Sequence, residues 1–519
     1  MSPIIDTPSG RIQGTTDDGV AQFLGIPYAA PPIGGRRLRS PSPVTPWSGV
    51  RKASEPGNAS LQKLGGNQTW LYEPLPPTSG DCLCLNVWTP DLGGRAPLFV
   101  WFHGGATRNG HGAAGAFHGA HLARRGGVVV VTVNYRLGAL GGLAHRDLVD
   151  PATGTCANWG LQDKIAALRW IRECAQAFGG DAGNVTIAGQ SSGAMNVALM
   201  AQNADLSGLF HRTIMQSPPL FQPPMFADLA EAAEYTEALA ESIGVPVSGL
   251  AGLECRALFE AENAFSKSKD VLARMGRPRT SPVRDGMLVR EWPYHGSPAP
   301  LPMLIGWNRD EARFWYDLKD ADGAVISPMV APETEEALTE QVGKLIRLYY
   351  PFAAPPQVGN VIAAYADPSG PLDIDAVWND IYTDLVFRAP IVHYATKHAS
   401  AAPTFAYEFG FPLPPPGKGT PHAAEVPFVF GTTAHPHLAG KVGHGDEVAA
   451  LSDRMMDMWA SFMRSGDPST RAGGRWSPLQ PSEPVVMSLV SANDVGMARL
   501  PRADPLGCWA AFSGGGSAE

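Results

Sequence analysis

No stretch of this sequence stays apolar for the roughly 20 residues that a membrane-spanning helix needs. Its densest apolar run, Val128 to Val133, has the length of a strand. Positive charge is nowhere concentrated. Lys and Arg number 40 against 49 Asp and Glu, the net charge is −9, and no basic run makes the stripe that nucleic acid or an anionic membrane requires. Cysteine is scarce: Cys82, Cys84, Cys156, Cys174, Cys255 and Cys508 lie scattered, without the paired spacing of zinc ligands. Reduced, buried thiols are therefore expected rather than a disulfide framework. The first residues, Met1-Ser2-Pro3-Ile4-Ile5-Asp6-Thr7, lack the basic and apolar regions of a secretory signal. That points to a cytoplasmic protein, with a mature secreted form, its signal removed, as the alternative. The sequons at Asn58 and Asn67 carry no meaning without export.

What is abundant is glycine (58) and proline (48), in a chain that is 44% apolar and 17% charged. This is the composition of a globular protein with many turns and long loops. At 519 residues the chain exceeds a usual single core, so one elaborated domain competes with two. No internal repeat is visible.

Strand-like runs recur at Leu98–Phe102, Val128–Val133, Val185–Ala188, Met303–Ile305 and Phe405–Phe409. Continuous β-branched and aromatic runs suit strands buried on both faces of a mostly parallel sheet. Gln162–Phe178 has helical spacing and stops at Gly179-Gly180, so a doubly wound α/β sheet is expected. Pro218–Pro300 and Pro328–Ala389 mix helical pattern with proline-rich loops. They read as excursions on the carboxyl edge of the sheet, where such sheets place their sites.

Gly189-Gln190-Ser191-Ser192-Gly193 fits G-x-S-x-G between a strand and the helical pattern Ala194–Ala201. In such an elbow the central serine sits on a strained strand-to-helix turn that only small neighbours permit. The helix N-terminus then aims free N–H groups at a developing oxyanion. A register shifted by one would make Ser192 the nucleophile but lose both elbow glycines. Upstream, His103-Gly104-Gly105-Ala106 ends a strand and matches the glycine loop that supplies further oxyanion donors. The 13 histidines cannot be ranked by pattern alone.

With these residues in place the chain resembles the type-B carboxylesterase family, the group that includes cholinesterases and bacterial para-nitrobenzyl esterases. The likeness runs in order along nearly the whole chain. It begins with Phe23-Leu24-Gly25-Ile26-Pro27-Tyr28-Ala29 and Pro31-Pro32, then Asp81-Cys82-Leu83 with Leu85-Asn86-Val87. It continues through Asn134-Tyr135-Arg136-Leu137-Gly138, Asn158-Trp159-Gly160-Leu161-Gln162-Asp163, Phe178-Gly179-Gly180-Asp181 and the elbow. Later matches are Asn308-Arg309-Asp310-Glu311, His422 ahead of Phe428-Val429-Phe430-Gly431, and Phe462 with Gly466 and Pro468.

The resemblance implies an α/β-hydrolase fold: a mostly parallel central sheet flanked by helices, with long loop and helix excursions over the active site. It implies one catalytic domain over 1–512, followed by a flexible tail at 513–519. It assigns His422 as base and Glu311 as its acid, with Asp310 the rival acid, and places oxyanion donors on the N–H groups of Gly105, Ala106 and Ser192. The expected activity is hydrolysis of a small-molecule carboxylic ester through an acyl-enzyme on Ser191, with no metal or organic cofactor. No nucleic-acid or membrane partner is expected, and oligomeric state is not implied. An amide or carbamate hydrolase with the same triad is one alternative. A non-catalytic cholinesterase-like binding protein is the other, disfavoured because all three triad positions are filled.

Several departures bear on chemistry. The family usually has Glu-Ser-Ala in the elbow, where this chain has Gln190-Ser191-Ser192, so a carboxylate beside the base is missing. Ala106 replaces a third glycine, and Thr107-Arg108-Asn109 follows where an aromatic is common. Arg37 matches the family's early arginine, but Gly80 stands where its glutamate partner is usual, so that ion pair is absent. Arg108 suggests a carboxylate-bearing substrate, or simply a solvated surface arginine. Trp70 falls near the position of a cation-binding tryptophan, although a loop aromatic over the core explains it better. Ser266-Lys267-Ser268-Lys269 satisfies S-x-x-K without its companion motifs and reads as a charged helix face. His435, His437, His444 and Asp446 lack the surroundings of a metal site. Met455, Met456, Met458 and Met463 with Trp459 read as core.

Overall fold

The computed structural model describes residues 2–64, 69–72, 74–220, 226–269, 271, 280, 282–293, 295–315, 331–350, 355–414 and 419–512, with side chains left undescribed at 69, 70 and 510–512. Trp70, Asn67, parts of the excursions Pro218–Pro300 and Pro328–Ala389 and the tail 513–519 therefore fall wholly or partly outside the described residues.

The β-rich runs assemble one eleven-stranded sheet. Its strands are β1 (Thr15–Asp17), β2 (Val20–Pro27), β3 (Cys84–Thr89), β4 (Ala96–Phe102), β5 (Val129–Val133) and β6 (Gly180–Gln190). The series continues with β7 (Arg212–Gln216), β8 (Met303–Asn308), β9 (Thr404–Phe409), β10 (Val485–Ser491) and β11 (Asp494–Arg499). The spatial order is β11-β10-β9-β8-β7-β6-β4-β5-β3-β2-β1. From β10 to β5 every neighbouring pair is parallel, and antiparallel strands close both edges.

Alternation along β4 and β5 explains why both faces are apolar. Leu98, Val100 and Phe102 join one buried cluster with Val129, Val131 and Val133, while Phe99, Trp101 and Val130 join another. The first face is covered by α1 (Trp159–Cys174) and α2 (Ser192–Ala201), whose Ile165, Leu168, Met195 and Leu199 fill that cluster. Longer excursions contribute α3 (Leu229–Ile243), α4 (Cys255–Phe265), α5 (Ile374–Thr383) and α6 (Ala389–Ala399). The second face is covered by α7 (Asp446–Ser465), where Met455, Met456, Met458, Trp459 and Met463 are all core, as expected.

This is the α/β-hydrolase arrangement, a large, mostly parallel sheet flanked by helices. Differences from the sequence reading are local. The helix expected over Gln162–Phe178 begins three residues earlier and ends as a 3₁₀ turn, Ala175–Phe178. Ser266, Lys267 and Ser268 of the S-x-x-K stretch are not a helix face, because α4 stops at Phe265 and the Ser266 hydroxyl accepts from Arg108. Among the described residues no helix is long and apolar enough to cross a membrane, and no cluster of side chains could hold a metal ion. All six cysteines are free thiols.

Candidate active site

Ser191 stands between β6 and α2 with φ 54° and ψ −128°, a conformation costly for any residue with a Cβ. The turn survives because it is overdetermined. Ser191 N–H donates to the Gln216 carbonyl on neighbouring β7 (2.8 Å), and the Ser191 carbonyl accepts from Met195 N–H (2.9 Å). Both elbow glycines are sterically required. A Cβ on Gly193 would lie 2.0 Å from the Phe102 oxygen, and one on Gly189 would lie 2.5 Å from the Gly193 carbonyl carbon.

His422 sits in the loop after β9, and Glu311 opens the short turn Glu311–Trp315 after β8. The structure brings the two together, His422 Nδ1 lying 2.5 Å from Glu311 Oε2, both buried. The other carboxylate oxygen, Oε1, accepts from Ser217 Oγ (2.6 Å) and Asn308 N–H (2.7 Å). Three donors hold the acid in one orientation. Asp310, the rival acid, is committed elsewhere: it accepts from Thr420 N–H and Asn379 Nδ2, both at 2.9 Å.

The far nitrogen of the imidazole, Nε2, accepts from the Gln190 side-chain amide at 2.8 Å. With Nδ1–H donated to Glu311, this fixes the tautomer in which Nε2 carries the lone pair. The elbow's unusual glutamine thus touches His422 itself. The ring is otherwise enclosed by aromatics, with centroid distances of 5.6 Å to Phe314, 4.9 Å to Trp315 and 5.0 Å to Phe387. Phe387 is presented by a turn of π-helix, Asp384–Arg388, wedged between α5 and α6. Such bulges often sit at functional sites because they re-aim a side chain.

The glycine loop lies against the elbow. A Cβ on Gly104 would come within 3.0 Å of Ser191 Cβ, and Gly105, Ala106 and Thr107 all have positive φ (106°, 52° and 61°). No acceptor among the described residues takes a hydrogen bond from the N–H of Gly105, Ala106 or Ser192. The Ser192 side chain, which replaces the family's alanine, accepts from Thr107 N–H at 3.2 Å and ties the loop to the start of α2.

Three features lay beyond sequence reasoning. Ser217, at positive φ after β7, had no motif around it. Glu425 is a second buried carboxylate, accepting from Gln216 Nε2 (2.9 Å) and Asn308 Nδ2 (2.6 Å). Burial and the nearby Glu311 charge push its carboxyl above the usual range. Arg108 is the third, and both expectations for it fail. It forms a bidentate pair with buried Glu262 (2.7 and 3.0 Å), which also accepts from Tyr235, so it anchors the loop to α4. Arg37 lacks the family's partner yet stays buried, donating to Cys255 Sγ (3.2 Å) and the Ala251 carbonyl (2.9 Å). A Cβ on Gly80 would strike that same sulfur at 2.4 Å.

A cavity of about 610 Å³ opens elsewhere, between α1 and the segment Ser40–Pro46, and no triad residue lines it. Chemistry rather than volume singles out the elbow.

The chain is similar to known proteins along nearly its whole length. A model of the carboxylesterase family matches residues 1–509. The chain is 32% identical to the para-nitrobenzyl esterase of Bacillus subtilis (strain 168), covering 90% of this chain and 91% of that one. It is 32% identical to phenmedipham hydrolase of Pseudarthrobacter oxydans, over 93% and 94% of the two chains. A solved thermophilic PNB esterase superimposes with a TM-score of 0.80 at 29% identity, covering 98% of this chain and 100% of the other.

Proposed function

The chain belongs to the carboxylesterase family of carboxylic-ester hydrolases, and from that premise we propose that Ser191, His422 and Glu311 hydrolyse an ester through an acyl-enzyme. The observation that carries the assignment is the linkage of the elbow to a buried His–Glu pair, with Nε2 turned toward Gln190 next to the serine.

His422 Nε2 takes the Ser191 proton as Oγ attacks the ester carbonyl carbon, and Glu311 steadies the imidazolium so formed. The N–H groups of Gly105, Ala106 and Ser192 receive the oxyanion, each such donor being worth roughly 3–4 kcal/mol in comparable sites. The tetrahedral intermediate breaks its bond to the alkoxy oxygen, which leaves as alcohol with the proton from His422. Water, deprotonated by the same histidine, then cleaves the acyl–serine bond and releases the acid. The aromatic rings of Phe314, Trp315 and Phe387 about His422 favour apolar acyl or aryl groups.

Residues 1–512 act as one catalytic unit, supported by an apolar cluster that runs from Ile12 to Trp509. Cytoplasmic residence is supported by six free thiols.

The test is a para-nitrophenyl acyl series, acetate through octanoate, on wild type and Ser191→Ala. Turnover should fall by at least about 10⁴-fold in the variant, and the chain-length optimum sizes the acyl pocket. Equal turnover by the two proteins would refute the assignment.

A further inference from the structure

Lys164 is a buried cation that the mechanism above does not use. It lies on α1, 2% exposed, and its ammonium donates to the Gly160 carbonyl one turn back (3.1 Å). Among the described residues no carboxylate forms an ion pair with it. Asp163, the adjacent residue, is spent on Arg136, whose Nε and Nη2 reach its two oxygens at 2.8 and 2.7 Å. The partner of Lys164 is instead a ring face, with Nζ 3.2 Å from the centroid of Tyr135.

The opposite face of that ring is also occupied. The His103 imidazole stacks on Tyr135 with centroids 4.4 Å apart and planes at 11°. The Tyr135 hydroxyl donates to the His103 carbonyl at 2.6 Å. His103 begins the His103-Gly104-Gly105-Ala106 loop. A cavity of about 20 Å³ bounded by both Lys164 and Thr107 separates the ammonium from the end of that same loop. Ammonium, phenol and imidazole thus form one column beneath the oxyanion donors.

We propose that Lys164 is a positioning residue for the oxyanion loop: its ammonium presses Tyr135 onto His103 and so fixes the peptide groups that carry the Gly105 and Ala106 N–H donors. The inference rests on the oxyanion reading above. A cation over the ring draws electron density from the phenol, which makes its hydroxyl a stronger donor to the His103 carbonyl. Without a counterion the ammonium is a liability for folding. Its pKa is accordingly pulled down to about 7, by burial. Asp163 and Arg136 are paired, and Tyr135 is pushed well above its ordinary range by burial. Burial holds His103 down to about 3 and His111, behind it, to about 4. The remaining neighbours, Asn158, Asn196, Thr107 and Thr280, carry no charge.

The sign of the stability effect follows. A lysine pKa lower in the folded than in the unfolded chain means that the native state binds fewer protons between the two values, so stability rises with pH across that window. Below it the charged lysine costs its full penalty. Lys164→Met should therefore raise Tm, most at acid pH, while lowering kcat by about tenfold with KM nearly unchanged, short of the 10²–10³ typical of losing a donor outright. Wild type should show an alkaline limb in kcat that both variants remove, Lys164→Met at low activity and Lys164→Arg, always charged, with activity retained. Removing the ring by Tyr135→Leu should make a subsequent Lys164→Met silent in kcat.

Equal kcat and pH profile in wild type and Lys164→Met, with ester turnover intact, overturn the inference and leave the esterase assignment standing. A parallel loss of Tm and kcat with an unchanged profile marks a merely structural lysine and also overturns it. An inactive wild type overturns both.

Discussion

His422, the proposed base, is held by two neighbours of different character. Glu311 accepts the hydrogen bond from Nδ1–H, and Gln190 caps Nε2 with a neutral amide at 2.8 Å. A carboxylate in place of that amide would favour the imidazolium. Gln190→Glu should therefore raise the lower apparent pKa of the kcat/KM profile, moving the acid limb to higher pH. An acid limb that stays put would show that residue 190 does not face the ring in solution. Glu311 offers a second test, since its Oε1 depends on Ser217 and Asn308. A hydrogen bond to a charged group is worth about 1.5–3 kcal/mol, so Ser217→Ala should lower kcat by roughly ten- to a hundredfold with a small change in KM. Ser192→Ala removes only the hydroxyl that accepts from Thr107 N–H. It leaves the Ser192 N–H in place, so a loss of no more than about tenfold is expected. Ser191 itself was legible because the elbow is a local pattern: both glycines stand two residues from the serine, whatever packs against them. Glu311 and His422 were reached only through the family likeness, and Ser217 and Glu425 not at all. They join the site through contacts between residues far apart in the chain, and a single sequence holds no trace of those.

At the scale of elements, the site hangs on strand ends. Ser191 follows β6, Glu311 follows β8 and His422 follows β9, so the parallel register of neighbouring strands sets the triad's spacing before any side chain is chosen. The parallel core was readable because strands buried on both faces are continuously apolar. The antiparallel edge was less so: β1 is short and half exposed, and β11 is only partly buried, leaving weak patterns. The π-helical turn Asp384–Arg388 was unreadable, because an inserted residue changes a helix without changing its composition. Its place is held by ion pairs of Arg388 with Asp384 and Glu408, all buried, and by Tyr365, which donates to Asp384 at 2.7 Å. Removing one member leaves uncompensated buried charge, typically a loss of about 3–5 kcal/mol. Arg388→Met should thus lower Tm by several degrees and, by loosening Phe387, lower kcat as well. Unchanged thermal unfolding would mean that the network does not hold the turn.

Across the whole molecule the two faces of the sheet divide the labour. The face under α1 and α2 carries the elbow helix and the Lys164–Tyr135–His103 column, while the methionine-rich α7 seals the other. Substrate preference is the least legible level, since it belongs to excursions whose lengths and compositions say little of their shape. The central proposal is the identity of the nucleophile, Ser191. The most direct test is labelling with an alkyl fluorophosphonate, followed by mass spectrometry of the proteolytic peptides. One adduct per chain on Ser191, abolished in Ser191→Ala and slowed in His422→Ala, is the expected result. An adduct on Ser192, or none on a chain that still hydrolyses para-nitrophenyl esters, would contradict the assignment.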